Sequence, residues 1–182
     1  MQHEDIKSQL WGALALLDRG SSVLFPEALN GSFLFGANLA LRRSVFDEVG
    51  LFDPRLGRSG KAMLSGEDTH LLRRLIAAGK RIVYLPGAVV FHEVSSERMR
   101  LGYFRNWKFH VGRTASVLHP NQKQALRWLI AQGLREGFSA VSSQLRGDRV
   151  QRIQHELAFW TLAGRVAGFL TSSSEDRRKE VV

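Results

Sequence analysis

Two adjacent acids open the segment of this sequence whose spacing sets an ionisable group on an apolar helix face. The run Gly66 to Gly79 reads GEDTHLLRRLIAAG. Its apolar stripe is Leu71, Leu72, Leu75 and Ile76, and steps back of three and four residues put Asp68 on that stripe. An acid in the first turn sits at the positive end of the helix dipole, which favours its carboxylate. An ionised carboxylate, partly shielded at a pocket edge, is what a general base requires. A simpler reading stands beside this one: Ser65-x-x-Asp68 is also a capping box, and capping alone accounts for an acid there. Glu67, His70 and Arg74 share a neighbouring face and are spaced for a local ion pair. Further on, His92 ends the apolar run AVVFH. Strand C-termini are where α/β folds place ligands, and a neutral imidazole there can bind a divalent metal. A lone His at a strand end can equally be no more than a hydrogen-bonding residue.

The elements that would position these groups fall into two regimes. Before them, Ile6, Leu10, Ala13, Leu14 and Leu17 lie at helical spacing over residues 5–18, followed by a turn-rich stretch from Gly20 to Gly31. Residues 32–41 alternate loosely and predict an extended segment carrying Gly36, Ala37 and Asn38. Ser44 to Val49 predicts a short helix, with Ser44 and Asp47 as a capping box and Gly50 as its stop. The helix at 65–78 ends at Gly79. Arg81–Leu85 and Ala88–His92 predict two strands joined at Pro86-Gly87. From Ser95 onward the pattern is helical and basic, broken near His119-Pro120 and Gly147-Asp148, and the charged, Ser-rich tail from Ser172 is expected to fray.

Composition bounds the function. The chain has 182 residues, 26 Lys and Arg, 17 Asp and Glu, a net charge of +9 and no cysteine. The missing cysteines exclude disulfides, thiolate zinc sites, iron–sulfur clusters and a cysteine nucleophile, and lean towards a reducing compartment. Residues 1–92 carry 11 basic and 9 acidic residues and residues 93–182 carry 15 and 8, so the basic excess belongs to the second half. Glu4 and Asp5 sit where a signal peptide needs Lys or Arg. No run of about 20 apolar residues exists for a membrane span. Between Arg98 and Arg113, basic residues interleave with Tyr103, Phe104, Trp107 and Phe109, which suits a membrane interface, single-stranded nucleic acid, or a helix packing its aromatics inward. Gly133-x-x-x-Gly137 and Gly164-x-x-x-Gly168 permit close helix contact.

The ordered series Gly36-Ala37-Asn38, Ala40, Arg42-Arg43, Phe46, Gly50-Leu51-Phe52-Asp53, Gly66-Glu67-Asp68, Arg74-Leu75, Ala78-Gly79, Arg81-Ile82, Tyr84, Pro86 and His92 resembles the second half of the catalytic domain of family 2 glycosyltransferases. These are inverting enzymes with a GT-A type fold. The resemblance covers about Gly31 to His92 and more loosely the helices beyond. It implies an α/β fold, a partial GT-A type sheet with a C-terminal α-helical appendage: an acceptor-side part at 1–94, a basic helical appendage at 95–171 and a flexible tail at 172–182. It implies that Asp68 is the catalytic base and that Glu67 helps hold the acceptor. Gly36, Ala37 and Asn38 would lie near donor sugar and acceptor, Arg74 would be structural, and His92 would contact a metal–diphosphate. A divalent metal, Mn or Mg, is the expected cofactor.

The family's nucleotide-binding half, with its Asp-x-Asp metal motif, should precede Gly36, yet only 35 residues precede it and the chain has no Asp-x-Asp. The chain is therefore expected to be the acceptor-side half of an enzyme that moves a sugar from a nucleotide-sugar to a saccharide or lipid-linked acceptor: a truncated product, a fragment of a longer protein, or one piece of a split enzyme whose N-terminal half is separate. The alternative is a non-catalytic remnant that binds a membrane surface or a subunit. The charge split assigns the basic excess to solubility or to an anionic membrane surface rather than to nucleic acid. The expected location is cytoplasmic, peripheral on the inner membrane face, in envelope polysaccharide synthesis.

Overall fold

The structure is a computed structural model that describes residues 10–25, 35–59, 62–118 and 126–179. Three long helices make one side: α3 (Leu101–Leu118), α4 (Leu126–Leu145) and α5 (Arg149–Lys179). On the other side are two shorter ones, α1 (Val45–Val49) and α2 (Glu67–Ala77), with a two-stranded antiparallel ladder, β1 (Arg58–Ser59) and β2 (Ala62–Met63), between them.

The α2 stripe behaves as its spacing predicts. Leu71, Leu72 and Leu75 are buried with Ile82, and Leu39, Leu41, Val45, Phe46 and Val49 pack on them. Each buried leucine is worth about 1.5–3 kcal/mol in transfer terms, so this cluster holds α1, α2 and the 39–41 segment together. Arg74 adds a clamp: its guanidinium donates to the Val49 carbonyl at 2.5 Å and the Leu51 carbonyl at 2.6 Å, satisfying carbonyls at the end of α1. Gly50 ends α1 at φ +75° and Gly79 follows α2 at φ +69°, both as glycine stop signals.

The second cluster joins Ala13 and Leu14 to Phe104 of α3 and Leu157 of α5, with Trp107 and Ile153 alongside. Residues from both sides of position 94 therefore share one core. Arg98 and Tyr103 both donate to the Ala13 carbonyl, at 3.0 and 3.2 Å. The helices themselves cross at their glycines. A Cβ on Gly112 of α3 or Gly164 of α5 would run into the other helix's backbone, and one on Gly168 would lie 2.9 Å from Ser116 Cβ. The Gly164-x-x-x-Gly168 motif thus serves an intrachain crossing, whereas Gly133 and Gly137 meet only side chains at ordinary distance. An ion pair and a histidine contact tie α5 to its neighbours: Arg105 with Glu156 at 2.5 Å, and His155 Nδ1 within hydrogen-bond distance of Glu136 at 2.7 Å.

Several expectations are corrected. Arg81–Leu85 and Ala88–His92 form no sheet among the described residues. Only Tyr84 pairs, through an isolated bridge to Leu24, and Val89, Val90 and Phe91 are exposed rather than buried. A strand is made by its ladder, and among the described residues these segments find no backbone to pair with beyond Leu24. Helical backbone near the N-terminus covers residues 10–13, with Ala15 at φ +54° turning the chain; residues 1–9 and Ile6 lie outside the described residues. Residues 36–38 are a 3₁₀ turn instead of extended chain. Neither capping box forms, since Ser44 and Gly66 stand at the N-cap positions without side-chain cap bonds. Past Ser172 the chain continues as helix, since α5 runs to Lys179. The break expected near His119-Pro120 lies outside the described residues.

Candidate active site

The α2 core sets the site. By seating Leu39 and Leu41 on Leu71, Leu72 and Leu75, it brings the 36–38 turn against the first turn of α2. Gly36 N–H then donates to Asp68 Oδ2 at 3.0 Å, across 32 residues. Asp68 Oδ1 accepts from Thr69 N–H at 2.6 Å and from the Thr69 hydroxyl at 3.3 Å. A carboxylate at a helix N-terminus with two amide donors is fixed in direction. Oδ2 accepts a single bond and keeps a second lone pair, so the group can still accept a proton there. The capping alternative survives only in part: Ser65 does not cap, but Asp68 does satisfy one first-turn amide.

Glu67 turns the other way. Its carboxylate packs beside Gly57, where a Cβ would come within 3.6 Å of it. The ion pair expected among Glu67, His70 and Arg74 does not form, because Arg74 is committed to the α1 carbonyls. His70 instead has its Nδ1 buried without a partner, and burial with the nearby Arg74 pushes its pKa down.

Asn38 donates from Nδ2 to the Ala88 carbonyl at 2.7 Å, tying the turn to the segment that leads to His92. Ala37, Asn38 and His92 share an open cleft of about 1440 Å³ with Leu39, Leu41 and Val90. Gly36, Glu67 and Asp68 are not among its lining residues. The structure thus joins Asp68 to Gly36 and joins Asn38 to the His92 segment, while Glu67 stands apart. His92 Nδ1 is buried without a hydrogen bond. Among the described residues no three of His, Asp and Glu come together as a metal site. His92 supplies one nitrogen, and a divalent metal finds no ligand set in these residues.

Thr114 belongs to the site's support and was missed. Its hydroxyl accepts Ser65 N–H at 3.2 Å and donates to the His110 carbonyl at 3.0 Å, and its methyl stands 3.6 Å from where a Gly66 Cβ would be. Gly66 takes φ +91°, so α3 steadies the strained entry to the helix that carries both acids. No local pattern signals a partner 49 residues away.

With this geometry in place, comparison with known proteins gives the class. The profile described as "Glycosyl transferase family group 2" matches residues 17–172, and the chain belongs to the family 2 glycosyltransferases. It is similar to the "Pre-mycofactocin glycosyltransferase" of Mycobacterium tuberculosis, 32% identical over 138 residues, covering 66% of this chain and 27% of that protein. It is also similar to the "Glucosyl-dolichyl phosphate glucuronosyltransferase" of Haloferax volcanii, 29% identical over 90 residues, covering 47% of this chain and 29% of that protein. The chain therefore spans between a quarter and a third of the length of these curated relatives. No solved structure matches it. A GT-A, nucleotide-sugar transferase-like fold is what the family implies. The described residues are mostly helical, and the one sheet among them is the two-stranded ladder of β1 and β2.

Proposed function

We propose that this chain carries the acceptor-activating part of a glycosyltransferase that moves a sugar from a nucleotide-sugar to a saccharide or lipid-linked acceptor with inversion. The observation that carries this is Asp68, whose carboxylate is held at the head of α2 by Gly36 N–H and Thr69 N–H. In the proposed step Asp68 takes the proton from the acceptor hydroxyl. The hydroxyl oxygen forms the new bond to the anomeric carbon from the face opposite the leaving group. The bond from that carbon to the diphosphate breaks, and the nucleoside diphosphate departs with the electron pair. Preorganisation is the role of the amides, which keep the carboxylate aimed so that little reorganisation is needed. Gly36, Ala37 and Asn38 would present backbone and amide groups to the sugars, and Glu67, on its separate side, would contact the acceptor. His92 would face the diphosphate with an unpaired nitrogen. The Haloferax relative's name refers to a dolichyl phosphate, and that supports the lipid-linked form of acceptor.

The test measures nucleoside diphosphate release with a panel of nucleotide-sugars and either a polyprenyl phosphate or saccharide acceptors. Asp68→Asn keeps shape and one acceptor oxygen but removes the base, and is expected to lower turnover by about 10²–10⁴-fold. Its circular dichroism should be unchanged. Turnover that persists in Asp68→Asn refutes the assignment.

A further inference from the structure

The outer face of α4 is apolar and is not covered by any of the described residues. Ile130, Leu134, Phe138, Val141 and Leu145 are 47%, 70%, 77%, 59% and 84% exposed. They recur at helical spacing, so they form one stripe along most of the helix. The opposite face is the packed one: Leu129, Gly133 and Ser143 are buried, and Gly133 and Gly137 lie against Leu162 and Phe159 of α5. The stripe is therefore not a core face.

The charges around it are of one sign. Every exposed charged residue between 126 and 149 is an arginine: Arg127, Arg135, Arg146 and Arg149. The two acids of this stretch are engaged within the chain: Glu136 lies against His155 and, at 3.9 Å, beside the largely exposed Arg135, and Asp148 accepts the Gln151 amide. Trp128, 56% exposed, lies seven residues before Arg135 and on the same side of the helix.

We propose that α4 is an interfacial helix that docks this chain on an anionic lipid bilayer, its stripe in the acyl boundary and its arginines on the lipid phosphates. An amphipathic helix of this length with arginines and a Trp at the edge of its apolar face lies in the plane of such a surface. Spanning is not an option for it, since no helix among the described residues is long and apolar enough to cross a membrane. A second copy of the chain fits less well. Facing two such stripes would bring arginines together with no exposed acid between them. Single-stranded nucleic acid stacks on aromatic rings, and this stripe is aliphatic except at Phe138. The inference stands on α4 alone and is independent of the role given to Asp68.

Co-sedimentation of the whole chain with vesicles tests it. Vesicles of phosphatidylcholine containing phosphatidylglycerol are compared with pure phosphatidylcholine, at low and at physiological salt. Partitioning is expected to be about 10-fold or more stronger on the anionic vesicles at low salt and to weaken as salt rises. Leu134→Ser with Phe138→Ser should lower binding about 10-fold or more at either salt. Arg135→Gln with Arg146→Gln should lower only the binding to anionic vesicles, by about fivefold per arginine. All these positions are exposed, so thermal midpoints should not fall, and Ile130→Thr with Val141→Thr repeats the test at separate positions. No binding to anionic vesicles at low salt overturns the proposal. So does equal binding by both stripe variants. A dimer in sedimentation equilibrium that the stripe variants dissociate also overturns it, in favour of a second copy.

Discussion

Gly164→Ala should destabilise this protein, and Gly137→Ala should not, although both place the best helix former in a long helix. Replacing an exposed helical glycine by alanine gains about 1 kcal/mol of helix propensity. At Gly164 that gain is outweighed. The new Cβ would lie 2.7 Å from the Phe109 carbonyl carbon and closer still to its oxygen. Ordinary contact starts at 3.4 Å, so α3 and α5 must part by about 0.7 Å or more, and the obstacle is backbone that cannot rotate away. Parting the helices loosens the contacts around Leu157 and Phe104, the buried pair that links them. Overpacking of this kind costs roughly 1–3 kcal/mol in tolerant sites, and a backbone collision belongs at the upper end or beyond, leaving a net loss of about 1–2 kcal/mol or more. For a chain of this size that lowers the thermal midpoint by roughly 2–8 °C. At Gly137 the added Cβ meets only the Phe159 ring, at 3.6 Å. The propensity gain then dominates, and the midpoint should stay or rise by a few degrees. Melting followed by circular dichroism at 222 nm, the helix band, reads both variants. Equal shifts, or a rise in Gly164→Ala, would refute the glycine crossing as the reason these helices pack so closely.

Arg74→Ala removes both bonds to the Val49 and Leu51 carbonyls and should cost about 2–3 kcal/mol, with Arg74→Lys recovering less than half because an ammonium cannot span both oxygens; urea unfolding measures it. Asp53 has its pKa lowered to about 2, chiefly by the Arg55 side chain that bonds it at 2.7 Å. A depressed carboxyl stabilises the fold above its unfolded pKa, near 4, and that contribution is lost as pH falls towards about 2. Carboxyl-detected NMR should place the Asp53 midpoint near the lower value, and Arg55→Gln should move it up and remove that part of the acid destabilisation.

Local structure and the candidate residues of the site were legible in the residues themselves. The i, i+3, i+4 pattern of Leu71, Leu72 and Leu75 defined α2 and put Asp68 at its head, because helical periodicity is a property of neighbours in sequence. The glycine stops at Gly50 and Gly79 and the break at Gly147 were legible for the same reason. The capping boxes were not, because the same letters recur where no side chain turns back to an amide. What Asp68 holds was decided by tertiary structure: Gly36 reaches it only because Leu39 and Leu41 settle on the α2 leucines. Thr114 beneath Gly66 and Gly112 beneath Thr161 come from helices far along the chain, and no short window carries that information. The strands at 81–92 fail in the opposite sense. Their residue types favour strand, but a strand is completed by a neighbour's hydrogen bonds, and among the described residues only Leu24 pairs with them. Sequence alone therefore determined which residues are candidates for chemistry. Packing decided which of them meet, since that depends on long-range burial and backbone pairing.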